Sequence, residues 1–220
     1  MPTQAPQNAS RIVTISATYG AGGSVIAPRL AAVLGLTFDD RVISPPTAAT
    51  LESLTDEERE STPPSRWLSA LARVAAMVPS APVPLEGDAD PVTDLRRRNE
   101  QHLGAALAAG PTLFLGRAAA IALAKRADAY HIRLDGPADR RIARAMAIEH
   151  TSLDEATTRC SATDKARDHF VRRLYNADPA SPLHYHLVLD PTVLSTEAVL
   201  DVLTTAVERF WSRTNEKFAT

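Results

Sequence analysis

The stretch RIVTISATYGAGGSVIAPRLAAVLGL (residues 11–36) decides the fold that this sequence predicts. Its β-branched run over 12–15 is typical of a buried strand, and a glycine-rich segment over 20–24 follows closely. Apolar residues then recur at the spacing of an amphipathic helix, at Ile26, Leu30, Val33 and Leu34. The stretch therefore predicts a strand, a glycine loop and a helix, an arrangement that presents backbone amides to an anion.

Short apolar strands alternate with helices along the rest of the chain. Strands separated by helices form parallel sheets with right-handed crossovers, and their ligands gather at the carboxyl ends of the strands. We therefore expect an α/β fold in three layers, with a parallel sheet flanked by helices. The further predicted strands are LTFDD (36–40), PTLFLG (111–116), AYHIRLDG (129–136) and YHLVLD (185–190), and the last helix is predicted to begin near Ser195.

Two segments interrupt this alternation. Residues 44–110 lack clear strands and contain helix candidates over 65–78 and 92–109, so we expect a helical insertion that lies over one side of the sheet. Residues 152–175 form a long helical stretch that is dense in charge. Both segments are placed to close over a ligand at the sheet edge.

The composition is that of an ordinary soluble protein, with 220 residues, 45% of them hydrophobic, and a net charge of −2. This charge favours neither nucleic acid nor an anionic membrane as a partner, and no apolar run reaches the roughly 18 residues of a membrane span. The single cysteine, Cys160, excludes an intramolecular disulfide and fits a reducing compartment. We expect a cytoplasmic protein with a disordered N-terminus over 1–10 and one domain over 11–220.

The glycine loop departs from the common phosphate-binding pattern, G-x-x-x-x-G-K followed by Ser or Thr. When the pattern is aligned with residues 17–24, Ala17 occupies the position of its first glycine and Gly23 that of its lysine. Amides at a helix N-terminus bind phosphate without that lysine, and the Ser24 hydroxyl could reach Mg²⁺. Two interpretations stay open from the loop alone: a structural turn, or a phosphate site formed by Gly20, Ala21, Gly22, Gly23 and Ser24.

Charged residues follow the predicted strands at the expected ligand edge. Asp40 and Arg41 come after the second strand, and Arg117 comes directly after the third. A guanidinium suits bidentate binding of phosphate, and Asp40 could accept a hydrogen bond from a base or a sugar. Each of these residues is also compatible with a surface ion pair.

The two predicted helices after the fourth strand add further cations. Arg141 and Arg144 are three residues apart and share one helix face, as do Asp164 and Arg167. Either face alone is compatible with simple solvation. Taken together they predict an arginine-rich lid beside a phosphate loop, which phosphoryl transfer uses to exclude water and to neutralise charge.

The order of these motifs resembles the cytidylate kinase-like proteins, relatives of the cytidine monophosphate kinases within the P-loop nucleoside monophosphate kinases, which implies a sheet of the P-loop NTPase type. The similarity lies in TIS..YGAGGS.IA..LA..LGL.F.DR.I, LGRAA, D.P.DRRI.R.M, TDKAR and Y.LVLD...LS.E.V...L, which are collinear over roughly residues 11–210. The resemblance implies that the glycine loop binds the donor phosphates and that Asp40, Arg41 and Arg117 lie on the acceptor side. It also implies that 44–110 is the acceptor-binding insertion and 152–175 the lid.

The resemblance implies an ATP-dependent kinase that uses Mg²⁺ and phosphorylates CMP, dCMP or a similar small acceptor. Its catalytic residues would be Arg117, Arg141, Asp164 and Arg167. A nucleotide-binding protein without catalysis, a sensor or a scaffold, stays open, because Gly23 replaces the lysine, Ala17 stands where the family usually carries arginine, and Pro28 lies in the helix that follows. A kinase for a different acceptor also stays open, because Asn99 and Gln101 replace the family's usual Gln-x-Glu pair.

Overall fold

The computed structural model describes residues 11–40 and 91–218 of the chain. Arg41, the predicted N-terminal segment 1–10 and most of the predicted insertion, including its helix candidate over 65–78, lie outside the described residues.

Strands and helices alternate along the described chain. The strands are β1 (Ile12–Ala17), β2 (Thr37–Asp39), β3 (Thr112–Leu115), β4 (Ala129–Leu134) and β5 (Leu187–Leu189). The α-helices are α1 (Gly23–Leu34), α2 (Pro91–Ala109), α3 (Ala119–Ala122), α4 (Ala138–Glu149), α5 (Leu153–Tyr175) and α6 (Thr196–Phe218). Two short 3₁₀ helices, Pro182–His184 and Pro191–Val193, flank β5.

The five strands form one parallel sheet in the order β2-β3-β1-β4-β5. The central strand β1 is buried on both faces, which explains why its residues 12–15 read as a continuous apolar, β-branched run. Ile15 pairs with Leu115 of β3 on one side and with Ile132 of β4 on the other. The predicted α/β fold with a parallel sheet flanked by helices is confirmed.

The two faces of the sheet carry separate apolar clusters. On one face, Val13 and Ile15 belong to a cluster with residues of α1 and α6. On the other face, Ile12 packs in a cluster with Leu103 of α2 and Ala119 of α3. None of the described helices is long and apolar enough to cross a bilayer.

The connections that follow β1, β3 and β4 meet at the carboxyl edge of the sheet. The amide of Gly116, after β3, donates to the carbonyl of Ile15 at 2.8 Å. The amide of Thr18, after β1, donates to the carbonyl of Leu134 at 3.2 Å. This edge is therefore where side chains from distant parts of the sequence come together.

Gly20 occupies a position that only glycine fits. Its φ is 76°, and a Cβ added there would lie 2.1 Å from the carbonyl oxygen of Arg141.

We expect Gly20→Ala to lower the free energy of unfolding by about 3 kcal/mol or more, because the clash adds to left-handed strain. Urea titration measures this change. Gly104→Ala is the control, since exposed Gly104 in α2 has open space around it and its replacement should stabilise by up to about 1 kcal/mol.

His131 is a buried imidazole in β4, the strand between the central β1 and the edge strand β5. Its Nδ1 lies 2.8 Å from Oγ1 of Thr14, and its ring stacks on His186 with 5.1 Å between the centroids. Burial, with a smaller contribution from His186, lowers the pKa of His131 from 6.5 to about 4. The folded state therefore favours the neutral ring.

This depressed pKa predicts a loss of stability in acid. Above pH 6.5 both states hold the ring neutral; as pH falls towards 4, the unfolded chain takes up the proton first and folding weakens. Between pH 7 and 4.5, we expect the wild type to lose about 2 kcal/mol more unfolding free energy than His131→Gln. Urea titrations across this range test it, with His150→Asn, at an exposed helix end, as control. Parallel pH profiles for wild type and His131→Gln would contradict the prediction.

Candidate functional site

The glycine loop leaves β1 and turns into the first residues of α1. Gly20 and Gly22 both have positive φ, at 76° and 78°, and Gly22 is the N-terminal cap of the helix. Within the described residues, no hydrogen bond uses the amides of Gly22, Gly23 or Ser24. Ser24 is exposed in the first turn of α1. These amides and this hydroxyl form the surface that an anion would meet at the helix start.

A buried arginine holds the glycine loop in place. Arg141 of α4 donates from Nη1 to the carbonyl of Tyr19 at 2.6 Å and to Oδ2 of Asp164 at 2.8 Å, and from Nε to the carbonyl of Gly136 at 2.8 Å. Asp164 of α5 accepts a second hydrogen bond, from the amide of Tyr19, at 2.7 Å. We call Tyr19, Arg141 and Asp164 the loop clamp. It joins the glycine loop to both α4 and α5.

The ring of Tyr19 extends this connection. Its hydroxyl donates to Oε2 of Glu149 at 2.7 Å, and the same oxygen accepts from Arg159 at 2.9 Å. Burial, together with the bond to Glu149, raises the pKa of Tyr19 well above its usual value. Tyr19 therefore stays protonated at neutral pH and acts as a hydrogen-bond donor.

Asp135 anchors the other side of the loop at the end of β4. It accepts from the hydroxyl of Thr18 at 3.0 Å and from the amide of Gly136 at 2.8 Å, and its second oxygen pairs with Arg133 at 2.6 Å. Burial alone would raise the pKa of Asp135, but the Gly136 amide and the Arg133 guanidinium outweigh it and lower the pKa. The carboxylate is therefore charged and fully engaged in holding this edge.

Arg117, which follows β3, pairs with the carboxylate of Asp39 rather than with that of Asp40. Arg117 Nε lies 2.5 Å from Oδ1 of Asp39 and 2.7 Å from the backbone carbonyl of Asp40. The other oxygen of Asp39 lies 2.6 Å from Nε2 of His102. Successive side chains along a strand point to opposite faces of the sheet, so Asp39 and Asp40 cannot both face Arg117. The register at the end of β2 turns Asp39 towards the arginine.

Arg117 itself lies in a strained turn. Gly116, Arg117 and Ala118 all have positive φ, at 77°, 55° and 51°. The carbonyl of Arg117 accepts a hydrogen bond at 2.8 Å from Nδ2 of Asn99, which also donates to the hydroxyl of Tyr175 at 2.9 Å. Asn99 thus ties this turn to α2 and α5.

A cavity of about 330 Å³ opens between the carboxyl ends of β1, β3 and β4 and the helix α5. Its apolar wall comes from Leu115, from the segment 118–121 and from Phe170 and Val171. The lining also contains polar and charged side chains: Ser16, Thr18, Arg117, Arg133, Asp164, Lys165, Arg167, Asp168 and Tyr185. The size and the mixed lining suit a small molecule that has both an apolar body and an anionic group.

The structure brings some of the sequence-predicted site residues to this cavity and leaves others apart. Arg117, Asp164 and Arg167 line it, and Arg167 also donates from Nη1 to the carbonyl of Ala17 at 2.8 Å. Asp40, Arg141 and the loop residues 20–24 do not line it. The roles predicted for all of these residues stay predictions.

Sequence reasoning missed Arg133 as a cavity residue. It is 8% exposed, donates from Nη1 to the carbonyl of Pro179 at 2.7 Å and lies over the ring of Tyr185. A signal was present, because Arg133 interrupts the apolar strand AYHIRLDG close to its carboxyl end. A charged residue in a buried strand needs a partner or a function.

The loop clamp predicts an unequal effect of two aspartate substitutions on α5. We expect Asp164→Asn to lower the free energy of unfolding by about 2 kcal/mol, because it removes the closer of the two carboxylates, Asp164 and Asp135, that pair with the buried guanidinium of Arg141. Asp168→Asn is the matched control, since Asp168 forms an exposed pair with Arg172 and its loss should cost less than about 0.5 kcal/mol. Chemical denaturation of both variants measures the difference, and equal losses would contradict the clamp.

Comparisons with known proteins agree with this architecture. A crystal structure of an uncharacterized protein from Eubacterium ventriosum is similar with a TM-score of 0.60 at 14% identity, and the match covers 91% of this chain and 99% of that one. A gluconokinase from Sinorhizobium meliloti has a TM-score of 0.49 at 12% identity, with 94% and 96% of the two chains covered. The first of these supports the fold.

One curated relative matches part of the sequence. The uronate isomerase of Corynebacterium glutamicum is 26% identical over 109 residues, which is 50% of this chain. The match spans 21% of that protein's length. The model of the cytidylate kinase-like family, in contrast, matches residues 12–192. The chain therefore belongs to the cytidylate kinase-like family.

Proposed function

We propose that this protein is an ATP-dependent kinase that transfers the γ-phosphoryl group to CMP, dCMP or a similar small acceptor that carries a phosphate. The observation that carries the proposal is the position of the cavity. It opens at the same sheet edge as the glycine loop, and Arg117 and Arg167 line it together with Asp164. A donor site and an acceptor site on one edge are what a direct transfer between two bound molecules requires.

The donor phosphates would lie on the glycine loop. The amides of Gly22, Gly23 and Ser24, which no described group uses, would donate to phosphate oxygens at the positive end of α1. These amides fit a phosphate whether or not a lysine is present. The exposed Ser24 hydroxyl would be this chain's ligand to Mg²⁺, which when bound neutralises charge on the phosphate oxygens.

A single protein ligand is compatible with Mg²⁺. Among the described residues, no group of three or more His, Cys, Asp or Glu side chains could hold a metal ion. Mg²⁺ usually keeps several waters and binds through substrate phosphates with one or two protein oxygens. The ion would therefore arrive with the nucleotide.

The acceptor would occupy the cavity with its phosphate turned to the cations. Arg167 and Lys165, two residues apart in α5 and both in the cavity lining, would neutralise charge at the mouth, while Phe170 and Val171 would pack against the apolar part. An acceptor phosphate is already a nucleophile at neutral pH, so no general base is needed. The protein's contribution is to position the two molecules and to exclude water.

A nucleotide-binding protein without catalysis is the second candidate, and one observation favours it. The guanidinium of Arg141 donates to carbonyls and to Asp164, and Arg117 is paired with Asp39. Two of the predicted catalytic arginines are thus engaged in holding the fold. Binding of ATP with no turnover on any acceptor would select this candidate.

A coupled assay for ADP release tests the proposal. The wild type is mixed with ATP, Mg²⁺ and each acceptor of a panel containing CMP, dCMP, UMP, AMP, gluconate and shikimate. We expect turnover with CMP or dCMP to exceed turnover with gluconate and shikimate, which accept the phosphoryl group on a hydroxyl. The reason is that the cations of the cavity favour an acceptor that carries a phosphate. Turnover with gluconate or shikimate alone would assign a different acceptor class, and no turnover with any acceptor would refute the kinase.

Two variants of α5 sharpen the assay. Arg167→Met removes a cation that lines the cavity, and we expect it to lower kcat/KM for the acceptor by about 100-fold or more. Arg172→Met removes an exposed arginine that pairs with Asp168 and Asp178, and its kcat/KM should stay within about twofold of the wild type. Equal kcat/KM values for the two variants would exclude the cavity as the acceptor site.

A further inference from the structure

The guanidinium of Arg144 lies directly against the glycine loop. A Cβ added at Gly22 would lie 2.9 Å from Nη2 of Arg144 and 3.0 Å from its Cζ. Gly22 caps α1, so the cation rests beside the amides that open this helix. Because Gly22 has no side chain, the guanidinium of Arg144 can lie at this position.

Arg144 differs from the other two arginines of α4 in its partners. Arg140 pairs with Asp190 at 2.6 Å, and Arg141 pairs with Asp164 at 2.8 Å. In the described part of the chain, Arg144 forms no ion pair with a carboxylate. Its one hydrogen bond to a described residue runs from Nη1 to the carbonyl of Pro191, at 2.5 Å.

The charge of Arg144 is therefore poorly compensated. Burial lowers its pKa, and the more distant Asp190 opposes that shift without restoring the usual value. A partly buried cation without an ion pair, beside the positive end of a helix, costs free energy in the folded chain. Such an arrangement is stabilised when a polyanion binds between the cation and the helix amides.

The loop lacks the lysine that commonly performs this task, since Gly23 occupies that place. A lysine there would reach the phosphates from within the loop itself. Arg144 reaches the same loop from α4, because the packing of α4 against the loop brings position 144 to Gly22. A guanidinium can also hold two phosphate oxygens at once, which an ammonium does less well.

We propose that Arg144 supplies the cation of the donor site and donates hydrogen bonds to the β- and γ-phosphoryl oxygens of ATP. This inference rests on the proposed kinase function. In the transfer, the bond from the γ-phosphorus to the β–γ bridging oxygen breaks and ADP leaves with its electron pair. A new bond forms to an oxygen of the acceptor phosphate. Arg144 stays protonated throughout and neutralises the charge that develops on the leaving oxygen.

The test compares Arg144→Met with Arg140→Met, which removes an exposed arginine of the same helix. Steady-state kinetics give kcat and KM for ATP, and competition calorimetry gives the affinities for ATP, ADP and AMP. We expect Arg144→Met to lower kcat by about 100-fold or more and to weaken ATP and ADP at least about tenfold. AMP, which has no β-phosphate, should bind as it does to the wild type. Arg140→Met should stay within about twofold throughout.

Several outcomes would overturn the inference. A kcat for Arg144→Met within about threefold of the wild type would do so, and so would equal weakening of ATP, ADP and AMP, which a purely structural contact with Pro191 predicts. If Arg144→Met fails to fold, Arg144→Lys keeps the charge without the planar fork and should lose kcat by about tenfold.

Failure of the kinase itself gives a different result. A wild type that binds ATP without turnover refutes the proposed function, and the ATP, ADP and AMP affinities of Arg144→Met then decide the role of Arg144. A wild type that binds no ATP refutes both proposals.

Discussion

The buried guanidinium of Arg141 is the interaction on which the arrangement of the site depends. It binds the carbonyl of Tyr19, which is 122 residues away in the sequence, and the carboxylate of Asp164 in α5. A buried cation without such acceptors would cost several kcal/mol, so this contact favours the arrangement in which the glycine loop, α4 and α5 lie together. The same contact explains Gly20, because the backbone of Arg141 passes too close for any side chain.

The fold could be predicted from the sequence because its signals are local. The apolar run of β1 is recognisable without any partner. Ser195 caps α6, since its Oγ accepts a hydrogen bond of 3.1 Å from the amide of Ala198, three residues on. The alternation of such elements is enough for a parallel sheet, since the crossover rules leave few arrangements. Each of these inferences needs only a short window of residues.

The site was harder to predict because its contacts join distant segments. The sequence placed Arg141 and Arg144 on one helix face but could not tell that the first is buried and paired while the second rests on Gly22. It selected Asp40, whose predicted contact with the acceptor stays a prediction, and did not single out Asp39, whose carboxylate pairs with Arg117. One residue of register at the end of β2 makes that difference, and tertiary packing sets the register.

The left-handed turn at Gly116, Arg117 and Ala118 limits which substitutions position 117 can accept. Arg117 and Ala118 are not glycines, and each carries about 1 kcal/mol or more of backbone strain at φ values of 55° and 51°. A glycine at position 117 would relax the turn and would remove the guanidinium from the cavity wall. Backbone strain and ion pairing therefore make opposite demands on this position, because the glycine that relieves the strain also leaves the largely buried carboxylate of Asp39 without the Arg117 guanidinium.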